Sequence, residues 1–156
     1  MKYYSTNGKA DRATLQEAVV KGLASDKGLF MPEVIKQLPS SFFDKMKDMS
    51  FQEIAYTVAD AFFGEDIDAA SLKKIVYDTL SFDVPLVHVN DNIYSLELYH
   101  GPTLAFKDVG ARFMSRLLGY FIAKENQKEV NVLVATSGDT GSAVANGFLG
   151  VKGIRV

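Results

Sequence analysis

The chain has 156 residues, 47% of them hydrophobic and 23% charged, with a formal net charge of −2, the balance of a soluble globular protein that builds one good core or a domain and part of a second. Lysines and arginines are scattered without a basic stripe, which excludes a nucleic-acid surface and a binder of anionic membranes, and the absence of cysteine excludes disulfides, thiolate catalysis and sulfur-ligated zinc. His88 and His100 are isolated and lack metal-pair spacing, no leader precedes Tyr3, and no apolar run approaches membrane-spanning length, so a cytoplasmic protein is expected.

Met1 to Thr6 reads as a short strand closed by the Asn7-Gly8 turn. Thr14 and Glu17 have capping-box spacing and predict a helix that stops at Gly22. After the turn at residues 25–28, the apolar Leu29-Phe30-Met31-Pro32 is expected to be pinned into the core. Pro39 to Asp48 predicts a helix capped by Ser40 or Ser41, with Phe42, Phe43 and Met46 on its apolar side. Ser50 and Glu53 repeat the capping box before Ile54, Ala55, Val58, Ala59 and Phe62, with Gly64 as the stop. Asp66 to Leu80 predicts another helix, burying Leu72, Ile75, Val76 and Leu80. Aromatics at this spacing are core residues, and no site chemistry is visible in these eighty residues.

From Val84 the pattern changes. Val84 to Val89 reads as an edge strand, Asn90-Asp91-Asn92 as a turn, and Ile93 to Leu98 as a second strand. A loop then leads into a helix from Lys107 to about Ala123. Counting from Lys107, helical spacing puts Gly110, Ala111, Met114, Leu118 and Phe121 on one apolar face with it, so the amine points inward. A cation at a helix N-terminus faces the positive end of the macrodipole, and burial disfavours its charge further; both favour the free, nucleophilic amine. The competing reading is a stem lying on apolar surface with its head in water. Asp108 and Arg112 are spaced for a surface pair, and Arg116 continues the polar side.

Val130 to Ala135 has the composition of a buried parallel strand. The loop Thr136 to Ser142 and a helix to Gly150 follow, with a last strand near Gly153. This order of strand, loop and helix is the rhythm of a parallel sheet. It places two loops at the carboxyl ends of successive strands, where α/β sheets bind ligands. The glycines, Ser137, Thr140 and Ser142 of the second loop can hold an anion at the helix start, although the same residues are also good caps, and Asp139 would repel an anion. The loop is neither a P-loop nor a dinucleotide fingerprint. An inward amine beside an anion cradle points to a Schiff-base enzyme acting on an acid.

The segments His100-Gly101-Pro102-Thr103-Leu104-Ala105-Phe106-Lys107-Asp108 and Ala135-Thr136-Ser137-Gly138-Asp139-Thr140-Gly141 closely resemble the two hallmark loops of the threonine synthase family of fold-type II pyridoxal-phosphate enzymes. Tyr3-Tyr4-Ser5-Thr6 and the run from Gly22 to Pro32 are also similar to the start of that family. The resemblance implies an α/β fold in two parts: a mainly helical region over residues 1–83, then, over 84–156, the first strand-loop-helix units of a pyridoxal-phosphate domain that is incomplete at its C-terminus. It implies that Lys107 carries pyridoxal 5'-phosphate as an internal aldimine and serves as acid and base, with Asp139 near the cofactor ring. Thr136, Ser137, Gly138 and Thr140 would receive the substrate α-carboxylate. The implied reaction converts O-phosphohomoserine and water to threonine and phosphate, the cofactor acting as electron sink.

Family members run well past residue 156, so the sequence is expected to be an N-terminal piece that turns over nothing alone. The cofactor-phosphate loop would lie beyond it, and Arg112, on the polar face, is not expected to bind the substrate phosphate. A cysteine synthase or threonine dehydratase type of enzyme would share Lys107 and the second loop. A non-catalytic folding fragment is the other alternative; its open strand near Gly153 to Val156 could pair with another copy.

Overall fold

In the computed structural model, which describes residues 1–125, 129–136 and 138–156, the chain divides into two units, Met1–Tyr77 and Asp78–Val156. In the first, β1 (Tyr3–Ser5) pairs antiparallel with β2 (Phe30–Pro32), Tyr3 opposite Pro32 and Ser5 opposite Phe30. Tyr3 and Ala13 add a backbone bridge on the other edge of β1. α1 (Leu15–Lys21) opens on the expected capping box: Thr14 accepts from the Glu17 amide, and the Glu17 carboxylate accepts from the Thr14 amide at 2.8 Å. Gly22 ends it in a left-handed conformation with φ of 71°, which a side chain would strain.

Leu29 and Met31 of the β2 segment are exposed, not pinned in the core as expected. The segment is held through its backbone instead, because Ser5 and Asp26 tie its entry together. The Asp26 carboxylate accepts from Ser5 Oγ at 2.6 Å and from the amides of Lys9, Ala10 and Gly28 at 2.9–3.0 Å. A Cβ at Gly28 would collide with Ser5 Oγ, so only glycine fits there. These donors, the Ser5 hydroxyl first, hold the Asp26 carboxyl down at about 2 against an ordinary 3.8. Because the folded-state value is depressed, the stabilisation is fully present above pH 4 and is lost as pH falls towards about 2. Asp26→Asn is therefore expected to lower the melting temperature at pH 7 and to flatten its fall between pH 4 and 2. Parallel melting curves for variant and parent across that range would contradict this role.

α2 (Ser40–Lys45) and a short 3-10 turn (Met46–Asp48) follow. Pro39, not Ser40 or Ser41, stands at the cap position, and no side chain caps the helix; the Phe42 amide bonds the Pro39 carbonyl. Of the expected apolar side only Phe42 is buried, while Phe43 and Met46 are exposed. α3 (Phe51–Phe63) begins with the second capping box, Ser50 with Glu53, and ends at Gly64, whose amide bonds Asp60 O. α4 (Ala69–Thr79) starts later than expected, because the Asp68 carboxylate accepts from the Ser71 amide at 2.9 Å. Leu72, Ile75, Val76 and Leu80 are buried as the periodicity requires.

In the second unit, β3 (Leu86–Asn90) and β4 (Ile93–Leu96) form an antiparallel hairpin, with a bulge between His88 and Asn90. This corrects the expected parallel sheet at its start: β4 pairs with β3, not with a later strand. The cause is local. Asp91, at φ of 46°, adopts the left-handed conformation of a tight turn, so the nearest partner closes first. The parallel rhythm is confined to β5 (Val130–Asn131) and β6 (Ile154–Arg155), which pair in parallel across a helix. The Val132 amide extends the ladder by a bond to Arg155 O, and Leu133 to Ala135, expected as strand, lie outside it.

Two helices carry the site. α5 (Lys107–Glu125) and α6 (Asp139–Phe148) pack against each other. A Cβ at Gly147 would approach the carbonyl carbon and oxygen of Ala111 within 3.0 Å, so glycine sets the distance between the two axes. Leu117, Leu118, Phe121, Ile122, Ala143 and Phe148 form the core around this contact. Among the described residues no helix is long and apolar enough to cross a membrane. The α/β class holds, with helices in the N-terminal half and a parallel pair at the end.

Candidate active site

The loop before α5 folds back on the helix it precedes. Leu104 N–H bonds Gly101 O at 3.1 Å, and the Asp108 amide bonds Ala105 O at 3.0 Å. Between them Leu104 takes φ of 57°, with the residue 76% exposed. A left-handed leucine costs about 1–2 kcal/mol, and burial does not offset it here. Gly101 has a steric reason to be glycine: a Cβ would stand 2.6 Å from Asp108 Oδ2 and 3.0 Å from Phe82 Cζ.

Lys107 is the first residue of α5, as the periodicity placed it. Its side chain is 31% exposed, and Nζ lies 2.6 Å from Oδ2 of Asp139, the first residue of α6. The expectation of an inward amine holds in direction, since Lys107 lines the cleft between α5 and α6. The expectation of a bare, desolvated amine does not, because the amine has a carboxylate partner and partial access to water. It also stands 4.7 Å from the centroid of the Phe106 ring, in range of a cation–π contact.

Asp139 has the complementary setting. Its other oxygen accepts from the Thr140 amide at 2.9 Å, and its place at the start of α6 suits a negative charge. The Lys107 donor, more than any other neighbour, holds the Asp139 carboxyl below the usual carboxylate range. Both helix N-termini thus converge on one ion pair, with a carboxylate at each: Asp139 on α6 and Asp108 in the first turn of α5.

Beside this pair lies a cleft of about 550 Å³, lined by Lys107, Gly110, Ala111 and Met114 of α5 and by Thr140 and Val144 of α6. Its surface is mainly apolar. A Cβ at Gly110 would meet no atom within 4 Å, so the absent side chain leaves open space along this wall. The mainly apolar wall, left open at Gly110, suits the flat face of an aromatic ring, and the amine at the cleft edge suits an aldehyde carried on it.

Of the site residues expected from the sequence, the structure brings together Lys107, Asp139 and Thr140. Gly138 stands at the cap position of α6, and its carbonyl accepts from the Ser142 amide at 3.2 Å. Thr136 is exposed; its Oγ1 accepts a long 3.5 Å bond from the Gly138 amide, and its methyl fills the space that a Cβ at Gly141 would need. Ser137 lies outside the described residues.

The expected surface pair of Asp108 with Arg112 is absent, because the two residues turn to different partners. Asp108 is fully buried and takes Thr103 Oγ1 at 2.7 Å and the Thr103 amide at 2.9 Å. Arg112 donates to the carbonyls of Asp78 and Thr79 and to Ser81 Oγ, and so is committed to holding the end of α4 and the chain after it. Helical spacing alone cannot reveal either role. The signal available for Asp108 was its position in a first helical turn shortly after a threonine, a pattern that permits a loop to be gripped from the helix.

A family model described as the threonine synthase N terminus matches residues 2–80. Threonine synthase of Schizosaccharomyces pombe is 41% identical over 169 residues, covering all of this chain and 33% of that protein. That of Haemophilus influenzae is 40% identical over 156 residues, covering all of this chain and 36% of its own length. A crystal structure of pyridoxal-phosphate-bound threonine synthase from Brucella melitensis superposes with a TM-score of 0.93 at 36% identity, over 99% of this chain and 34% of that one. The chain thus spans about a third of the length of the relatives it matches.

Proposed function

Because this chain belongs to the threonine synthase family, we propose that the intact protein converts O-phosphohomoserine and water to threonine and phosphate, as a pyridoxal-phosphate-dependent carbon–oxygen lyase acting on a phosphate ester. The observation that carries this reading is the Lys107–Asp139 pair, 2.6 Å apart at two convergent helix starts and beside an apolar cleft. Lys107, at the cleft edge, would be the residue that holds the cofactor through its aldehyde group. When bound, the cofactor supplies the electron sink for carbanion chemistry. Asp139 orients Nζ at the cleft edge, where Lys107 Nζ would take and return protons at the substrate carbons.

Thr136, Ser137, Gly138 and Thr140 are proposed to receive the substrate carboxylate near the start of α6, where a helix N-terminus favours an anion. The carboxylate would replace the long contact between the Gly138 amide and Thr136 Oγ1. We assign residues 84–156 to the cofactor domain and residues 1–83 to a helical region preceding it. A cytoplasmic site of action fits the proposed biosynthetic chemistry, and the strand edge near Gly153 to Val156 is proposed as a pairing surface.

The test is phosphate release from O-phosphohomoserine by the intact protein, with and without added pyridoxal phosphate. Cofactor-dependent release with stoichiometric threonine is expected. No release, or turnover only of a serine-derived substrate, would reject the synthase in favour of a related lyase.

A further inference from the structure

The buried carboxylate of Asp108 takes no part in the chemistry assigned above, yet it is the most deeply placed charged group near the amine. A charge taken out of water is costly unless it is hydrogen-bonded. Here both oxygens are satisfied by one residue of the preceding loop, Oδ1 by the Thr103 hydroxyl and Oδ2 by the Thr103 amide. Gly101 leaves room for this grip, since a Cβ there would collide with Oδ2. The loop being gripped contains the left-handed Leu104, and such a conformation persists only where its surroundings over-determine it. Thr103 is fixed on one side of Leu104; on the other side Ala105 is buried and its carbonyl holds the Asp108 amide. Phe106 leaves that turn with its ring under Lys107 Nζ.

We propose that Asp108 is a positioning residue: by holding Thr103 it locks the turn at Gly101–Phe106 and so aims Lys107 Nζ at the edge of the cleft. The inference rests on the cofactor reading above, and acts through the loop, not through contact with any reacting group. Its consequence is kinetic. A turn free to relax lets Nζ sample orientations away from the cleft, and attachment slows by the fraction of time it is misaligned.

The deciding experiment uses the intact protein and pyridoxal phosphate. Attachment at Lys107 is followed by borohydride trapping and peptide mass, and loop order by hydrogen exchange of the Thr103 amide. Thr103→Val removes the hydroxyl donor at nearly constant shape and is expected to slow attachment about tenfold, as loss of one hydrogen bond to a charged acceptor implies. Its melting temperature should stay within a few degrees of the parent. Thr103→Ser restores the donor and the rate. Asp108→Asn should slow attachment further and expose the Thr103 amide to exchange; if it does not fold, the two Thr103 variants decide the matter alone. Attachment by Thr103→Val within twofold of the parent rate overturns the positioning role. No attachment in the parent itself rejects the cofactor reading, a separate outcome.

Discussion

Replacing Lys107 by alanine is expected to abolish covalent attachment of pyridoxal phosphate and to lower threonine formation by the intact protein by at least about 10³-fold. Two functions are lost with one side chain: the nitrogen that binds the cofactor and the base that moves protons, and acid–base catalysis alone contributes about 10²–10⁴-fold. Stability should change little. The amine is partly solvated, and its partner Asp139 is 63% exposed, so removing it leaves no buried charge unpaired. The Asp139 carboxyl should rise towards its ordinary range in this variant, because Lys107 is the first cause of its depression. A pH titration of Asp139 by NMR checks this directly. Retained attachment, shown by a trapped peptide elsewhere, would move the anchor to another lysine.

The opposite pattern is expected at Leu72. This side chain is fully buried in α4, and Leu→Ala at such a position removes transfer free energy and leaves a cavity, a loss of about 2–5 kcal/mol. For a chain of this size each kcal/mol is worth roughly 2–4 °C, so a value near 3 kcal/mol lowers the melting temperature by roughly 6–12 °C. Below that temperature the rate at which Lys107 takes up pyridoxal phosphate should match the parent. A thermal melt unchanged within 2 °C would show that the α4 contacts close around the missing methyls. Together, the two variants separate a residue that does chemistry at little structural cost from one that supports the fold and touches no reactant.

The parts of the fold legible in the sequence were those decided within a few residues. The capping boxes of Thr14 with Glu17 and Ser50 with Glu53 are closed inside a single helical turn, and the stops at Gly22 and Gly64 follow from the same short-range bonds. The buried stripe of α4 and the start of α5 at Lys107 came from apolar periodicity, which depends on helix geometry alone. Misreadings concerned partners distant in space. Leu29 to Pro32 was apolar enough for the core, yet its backbone pairing with β1 leaves Leu29 and Met31 exposed. Ile93 to Leu96 looked like any strand, and whether it joins a parallel sheet or closes a hairpin depends on which edge is offered to it first.

For the site, the sequence by itself determined which groups are available: an amine at the start of one helix, an acid at the start of another, and glycine where space is needed. Their order along the chain, strand, loop and helix, also determined that both would lie at helix N-termini. Only the tertiary structure decided that Lys107 and Asp139 meet at 2.6 Å, because their separation is set by the packing of α5 on α6 at Ala111 and Gly147. It also decided that Asp108 turns inward to Thr103 and that Arg112 turns to the carbonyls of α4. A polar side chain on a helix has no preferred partner until the chain folds back to supply one. Hydrogen bonds to those partners, and the cost of burying a charge without them, choose between surface and interior.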